Sequence, residues 1–378
     1  MRVERLWLKD FRSYEALEIE LVDGLCAVTG ANGVGKSNLL EAIAYLSLLE
    51  SFRGAPSEAL IRAGAASAVV RGQIVAEGRE QLIEAEIVST GRNRVLLNRQ
   101  RLTRNRDLLG ALRVTVFSPE DLSLIKGGPA LRRSYLDQLL VSLDPRNDNV
   151  RSQYDKALRQ RNALLKQTHG RLDEAAEFTL AVWDDKLVES GEQLATLRDD
   201  VVSQLQPIVV QAYEDVAGEH HDISLAYVAP WRESGQGESG QGGSGLRAAL
   251  RASRRDELRR GLTLVGPHRD DLGITLQGLP SRTHASQGEQ RSLALALRLA
   301  SHRLLHDVTG APPVLLLDDV FSELDPDRSA ALLRSLPAGQ ALLSTASGLP
   351  AGVEVAQLVT VRPGATGTVA TSDVGGRA

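Results

Sequence analysis

Apolar and polar positions alternate along residues 3–8 and again along 16–21, the period of a half-buried strand. Residues 24–29 form a shorter apolar run that leads into a glycine, and a helical period follows from about 36 to 49. Residues 67–90 alternate as two antiparallel strands with a turn at Glu77-Gly78, and 95–102 read as a hairpin turning at Asn98-Arg99-Gln100. After a strand at 113–117 the period becomes helical from about 121 to 217, enough for four helices. Ser234–Gly245 holds six glycines in twelve residues and reads as a flexible linker. An Arg-rich helix at 246–261, a strand at 272–277, a long helix at 286–306 and a buried strand at 313–318 come next. A short helix at 327–335 and strands near 340–344 and 354–360 follow, and the polar, Gly-rich residues 363–378 are expected to fray.

Gly30-Ala31-Asn32-Gly33-Val34-Gly35-Lys36-Ser37 matches G-x-x-x-x-G-K-[ST] without a mismatch, between a strand and a helix. Such glycines let main-chain N–H groups approach phosphates, and the helix start adds its dipole. Lys36 is placed for the β- and γ-phosphates and Ser37 for Mg²⁺. A second candidate is Val314-Leu315-Leu316-Leu317-Asp318-Asp319, an apolar strand ending in two carboxylates. Asp318 emerges at the strand's C-terminal edge, where it can hold Mg²⁺, and Asp319 is placed to orient or deprotonate a water. Ser286-Gln287-Gly288-Glu289-Gln290 opens the long helix, an anion-binding end, and Ser322-Glu323-Leu324-Asp325 follows the acidic pair. The order β-rich, α-rich, then α/β predicts an α/β protein. Its P-loop ATPase lobe is built from residues 1–120 and 261–362, with an antiparallel meander, a helical lobe inserted at 121–260 and a loose tail at 363–378.

These motifs together resemble the ATP-binding-cassette ATPase head, and within that group the RecF family of the SMC/Rad50-like branch. Leu8-Lys9-Asp10-Phe11-Arg12-Ser13-Tyr14, Lys126-Gly127-Gly128-Pro129 with Arg132-Arg133-Ser134-Tyr135-Leu136-Asp137, and Gly266-Pro267-His268-Arg269-Asp270-Asp271-Leu272 extend the resemblance to about residue 360. It implies a dimer sandwich in which the Ser286–Gln290 end of one subunit caps ATP held by Gly30–Ser37 of another, with Asp325 on the loop that crosses over. It implies that Arg12, Ser13 and Asn38 touch nucleotide. It further implies a weak, Mg²⁺- and DNA-dependent ATPase in DNA replication, repair, recombination and the SOS response. Such a protein helps recombinase loading through RecR, with RecO in the same pathway.

Three departures from the general cassette pattern qualify the mechanism. Asp319 stands where most cassettes carry Glu, retracting the carboxylate by about one C–C bond, ~1.5 Å, which predicts slow turnover. Ser344-Thr345-Ala346-Ser347 replaces the switch histidine, and Ser118-Pro119-Glu120-Asp121 stands in place of the coupling glutamine.

Charge then locates a partner. The 378 residues carry a net −4, so the chain is no general polycation, and only six of its 44 basic residues are lysine. Residues 92–106 hold Arg92, Arg94, Arg99, Arg101, Arg104 and Arg106 and no acid, a candidate duplex-DNA contact through phosphates. Arg146, Arg151, Lys156, Arg159, Arg161 and Lys166 form a second candidate, and nothing suggests base-specific readout. The expected DNA is duplex near single-strand gaps or junctions. His268, at a loop-to-strand junction, reads as a loop anchor at least as well as a base. A single cysteine, Cys26, excludes an intrachain disulfide and points to a reducing, cytoplasmic setting. No run of about 18 apolar residues exists, so no membrane span is expected. A transporter energy subunit would need the switch histidine, and an SMC-type architectural protein would need far more heptads than 121–260 provides. A nucleotide sensor acting through a protein partner without DNA stays open because of Asp319.

Overall fold

The computed structural model describes residues 1–76, 78–168, 170–233, 245–346, 348–349 and 353–375. The turn residue Glu77, Ser347 and all of the glycine-rich linker but Gly245 lie outside the described residues. Two compact units emerge: unit 1 is Met1–Ile125, Ile208–His221 and Ser286–Ala378, and unit 2 is Lys126–Pro207 and Asp222–Ala285. The chain opens with β1 (Arg2–Phe11), β2 (Tyr14–Glu20), β3 (Leu25–Thr29), α1 (Lys36–Leu48), α2 (Ser57–Leu60), β4 (Ser67–Ala76), β5 (Arg79–Val88), β6 (Arg94–Leu97), β7 (Gln100–Arg101), β8 (Val114–Phe117) and α3 (Leu122–Lys126). Next come α4 (Pro129–Leu143), α5 (Asn147–Gln167), α6 (Glu174–Ala217), β9 (Ile223–Val228), α7 (Pro230–Glu233), α8 (Gly245–Arg260), β10 (Asp271–Leu276), β11 (Leu279–Pro280) and α9 (Ser281–His284). The chain closes with α10 (Gln287–Thr309), β12 (Val314–Asp318), α11 (Pro326–Ser335), β13 (Ala341–Thr345), β14 (Gln357–Pro363) and β15 (Thr368–Val374).

Unit 1 contains two six-stranded sheets. One is an antiparallel meander in the order β2-β1-β4-β5-β6-β7. The other runs β15-β14-β3-β13-β12-β8 and is parallel except for its β14–β15 edge. Strands β3, β12 and β13 are continuously apolar rather than alternating, as a parallel sheet covered on both faces requires. Helix α1 buries Leu39, Leu40, Ile43, Ala44, Tyr45 and Leu46 and meets strands of both sheets. It is apolar nearly all round because both sides are core. Two buried glutamines seam the strands. Gln340 accepts from Val3 N (2.8 Å) and donates to Val3 O (2.8 Å) and Val22 O (3.0 Å). Gln357 donates to Glu20 O (2.7 Å) and accepts from Val22 N (3.2 Å).

Three expectations need correction. Residues 368–374 are not a frayed tail but the strand β15, paired along its length with β14. The segment 261–285 belongs to unit 2, not to the returning ATPase half, because β10 pairs with β9 there. Residues 208–221, expected inside the helical lobe, belong to unit 1.

Unit 2 combines the helices with a three-stranded sheet, β11-β10-β9, and its interior is rich in paired ions. Arg161, completely buried, donates to Asp184 (2.7 Å), Glu257 (2.6 Å) and Thr263 (2.8 Å). Arg198 forks onto Asp137 (2.8 and 2.9 Å), and Arg132 onto Asp271 (2.7 and 2.8 Å). The second basic stretch therefore dissolves as a single surface: Arg161 is core, and Arg146 and Arg151 are paired with Asp144 and Asp148. His268 is indeed a loop anchor, its Nδ1 2.6 Å from Tyr154 OH and its Nε2 3.1 Å from Thr263 O. Burial holds its pKa down to about 4, so it is neutral at pH 7.

Candidate functional site

The phosphate loop of unit 1 is a backbone made possible by glycine. Gly30, Gly33 and Gly35 have φ of 148°, 79° and 112°, a region closed to most side chains. At Gly30 a Cβ would also lie 2.3 Å from Val361 O, and at Gly35 2.6 Å from Ser13 Oγ. The loop borders a cleft of about 360 Å³ lined by Asn32, Gly33, Gly35, Lys36, Ser37 and Asn38, with Arg53, Asp319 and Ser344 opposite.

Lys36 is buried, and its Nζ donates to Gly30 O (2.9 Å) and Ala31 O (2.8 Å). Burial lowers its pKa, an effect that Asp319 and Asp318 oppose. Asp318 is also buried, and that burial raises its pKa against hydrogen bonds from Ser37 and Ser344. Its Oδ1 accepts from Ser344 Oγ at 2.7 Å, and the same hydroxyl accepts from Asp319 N at 2.9 Å. Asp319 sits at φ 48°, a left-handed turn that ends β12. Strand β13 thus supplies the residue that orders the acidic pair. It is Ser344 rather than Thr345, whose hydroxyl donates to Gly348 O (3.1 Å).

Arg12 and Ser13 lie at the β1–β2 turn. Arg12 grips buried Glu41 with two 2.7 Å bonds and donates to Ala59 O at 2.8 Å. Ser13 Oγ accepts from Asn38 Nδ2 at 3.0 Å, fixing the start of α1. Tyr14 OH donates to Gly35 O (3.0 Å) and Thr368 Oγ1 to Val34 O (3.0 Å), while Thr368 N donates to Ser13 O (2.9 Å). Strand β15 is therefore a prop of the phosphate loop that a composition-based reading assigns to disorder. Arg53 and Thr368 are the residues that sequence reasoning missed, while Ser344 stands in the segment noted for replacing the switch histidine. No local motif marks Arg53 or Thr368.

Ser286 caps α10, its Oγ accepting from Glu289 N (3.3 Å) while Glu289 Oε2 accepts from Ser286 N (2.6 Å). These hydrogen bonds hold the Glu289 carboxyl below the usual range. The Arg328 guanidinium lies against Gly288, where a Cβ would stand 2.7 Å from Nη1 and the flexible arginine would have to shift. Arg328 belongs to α11, whose N-cap is Asp325, accepting from Arg328 N at 2.9 Å. Ser286–Gln290 and Asp325 thus form one group, and none of them lines the phosphate cleft. Asp121, in the segment replacing the coupling glutamine, accepts from Ser118 N (2.9 Å) and from Arg298 of α10 (2.9 and 2.5 Å). It links the end of β8 to the same helix that Ser286 begins.

The basic hairpin turns on two residues, Asn98 (φ 52°) and Arg99 (φ 67°), between Leu97 and its partner Gln100. Arg92, Arg94, Arg99, Arg101, Arg104 and Arg106 are all exposed. Among the described residues only Arg94 has an acidic partner, Glu86 at 3.4 Å.

A family model described as RecF/RecN/SMC N terminal domain matches residues 2–342. The DNA replication and repair protein RecF of Frankia alni is 45 % identical over 355 residues, covering 92 % of this chain and 93 % of its own. The protein of that name from Streptomyces avermitilis is 43 % identical over 355 residues, covering 92 % and 94 %. A solved structure of the recombination mediator protein RecF-ATP in the RecFOR pathway matches with a TM-score of 0.85 at 31 % identity, covering 95 % of each chain. An Smc head bound to the C-winged helix domain of ScpA, at TM-score 0.59 and 19 % identity, shares the fold alone.

Proposed function

The chain belongs to the RecF family of DNA replication and repair proteins, ATPases of the ABC/SMC type, and from that premise we propose that it is an ATP-gated clamp on duplex DNA. The observation that carries the reading is the division of the nucleotide machinery into two groups. Lys36, Ser37 and Asp319 line one cleft, with Asp318 held behind it by Ser344, while the Ser286–Asp325 group stands apart from it. A second copy is then needed to cap the terminal phosphate, so ATP holds a homodimer.

Each cleft residue has a role in that cycle. Main-chain N–H groups of Gly30–Ser37 and the N-terminus of α1 take the phosphates, with Arg12, Ser13 and Asn38 shaping the loop around them. Lys36 exchanges two carbonyl partners for phosphate oxygens. The Ser37 hydroxyl and the Asp318 carboxylate, near enough that Ser37 lowers the pKa of Asp318, would form the hard oxygen pair that suits Mg²⁺. When bound there, Mg²⁺ would neutralise phosphate charge. Asp319 orients a water, and its short side chain keeps hydrolysis slow, a timed release rather than a motor stroke.

The exposed arginines at 92–106 would take phosphates of duplex next to a single-strand gap or junction, with DNA accelerating the weak ATPase. Solved relatives belong to the RecFOR pathway. Recombinase loading with RecR, and RecO in the same pathway, is the context we propose, in the cytoplasm.

The test is fluorescence anisotropy of a gapped duplex titrated with protein under no nucleotide, ADP and ATP. ATP alone should tighten binding, steeply in protein concentration, and Ser286→Arg should keep ATP binding but lose that steepness. Binding indifferent to nucleotide, or absent, replaces the clamp by a nucleotide sensor acting through a protein partner, which the short Asp319 also suits.

A further inference from the structure

Unit 2 holds a second cleft, of about 210 Å³, between α6 and α8. Three arginines of α8, Arg247, Arg251 and Arg254, face two aspartates of α6, Asp184 and Asp185, and the rest of the lining is apolar. The charges do not balance. Asp184 accepts from Arg254 Nη2 (2.7 Å) but also from Arg161 Nε (2.7 Å), so its charge is divided. Asp185 pairs with Arg247 at 2.6 Å on the exposed rim. Arg251 is exposed, and no ion pair holds it among the described residues. Arg254 Nη1 is buried with no hydrogen-bond partner.

Arg254 Nη1 is enclosed and contributes charge rather than a hydrogen bond to the cleft, so Arg251 is the donor open to a ligand from outside the chain. The ligand must be anionic, since among the described residues Arg251 has no ion pair and Arg254 shares its one acidic partner, Asp184, with Arg161. The lining contains no Phe, Tyr or Trp, so nothing there stacks a base. Arg255, exposed and without an ion pair among the described residues, lies one turn beyond Arg251, about 6 Å along the same helix face. A row of guanidiniums continuing out of a cleft suits a chain of phosphates better than a lone ion.

We propose that the α6–α8 cleft seats a backbone phosphate of nucleic acid, with Arg251 as its donor, Arg254 adding charge beside it and Arg255 on the next phosphate. The inference rests on the reading of the chain as a DNA-binding protein and adds to it a contact in unit 2.

The test uses the full chain with ATP and a gapped duplex, in which the dependence of log K on log salt is measured for wild type, Arg251→Ala and Arg251→Glu. Arg251 is exposed and bears no ion pair among the described residues, so both variants should fold and bind ATP as wild type does. Arg251→Ala should weaken DNA binding roughly tenfold and flatten the salt slope by about 0.9, the share of one phosphate. Arg251→Glu should go further, and adding Arg255→Ala should flatten the slope again. If wild type binds no duplex, the DNA-binding reading and this inference fall together. If wild type binds, and Arg99→Glu with Arg101→Glu weakens it while Arg251→Glu changes neither affinity nor slope, the cleft inference alone falls. A drop in ATP affinity in Arg251→Glu with DNA binding intact would assign the cleft to a free nucleotide and also overturn it.

Discussion

Lys36 in unit 1 and Arg161 in unit 2 are both buried cations, 7 % and 0 % exposed, in different company. Arg161 donates to two carboxylates and a hydroxyl, so its charge is matched inside the protein. Lys36 donates to two neutral main-chain carbonyls, and burial lowers its pKa. Asp318 repeats the pattern on the anionic side: burial raises its pKa, and its hydrogen bonds come from the hydroxyls of Ser37 and Ser344. Burial alone therefore does not mark a site. A buried ion with neutral partners is kept for a ligand, whereas a buried ion with opposite partners is architecture.

That contrast can be broken from either side. The largest effect should come from Arg161→Met, which strands Glu257 in the core of unit 2 and leaves Asp184 to Arg254 alone. The cost should be about 3–5 kcal/mol, measured by urea unfolding, with ATP affinity of the folded protein unchanged. Next in size is an acid limb that both units share. Burial holds His268 and His302 down to about 4, against 6.5 for an ordinary histidine. Between about pH 6.5 and 4 the unfolded chain binds protons that the native chain does not, so stability is full above 6.5 and falls as pH drops. The loss should approach about 3 kcal/mol per histidine, and His268→Gln should flatten the limb by one such share, read from urea midpoints across pH 4.5–7.5. Smallest in energy but sharpest in function is Lys36→Met. It removes a buried charge with no acidic hydrogen-bond partner, so stability should hold or rise. ATP affinity should fall ten- to a hundredfold, about 1.5–3 kcal/mol, by titration calorimetry. If Lys36→Met destabilises the chain or Arg161→Met does not, the contrast is wrong.

What was legible in the sequence is what depends on neighbours in the chain. The left-handed angles at Gly33 and Gly35 leave glycines at fixed spacing, and the turn at Asn98-Arg99 is likewise local. The apolar run before Asp318 announces a covered parallel strand. What stayed hidden depends on distant partners. Strand β15 reads Thr-Val-Ala-Thr-Ser-Asp-Val, polar enough for a tail, because its role is to pair with β14 and to reach Val34. Arg161 looks like one of a run of surface cations until Glu257, 96 residues away, takes its charge. Asp270, completely buried, accepts from Tyr227 OH (2.6 Å) and Trp231 Nε1 (2.9 Å), which draws the Gly266–Leu272 segment into unit 2 rather than the ATPase half.

The bond from Thr368 to Val34 spans 334 residues. A ribosome adding about 5–20 residues per second releases the phosphate loop roughly 20–70 s before the strand that props it. Gln340 and Gln357, which fasten the first strands, also arrive near the end. During synthesis the loop is thus made first and braced last. A nascent chain carries an unbraced phosphate loop until Thr368 has emerged.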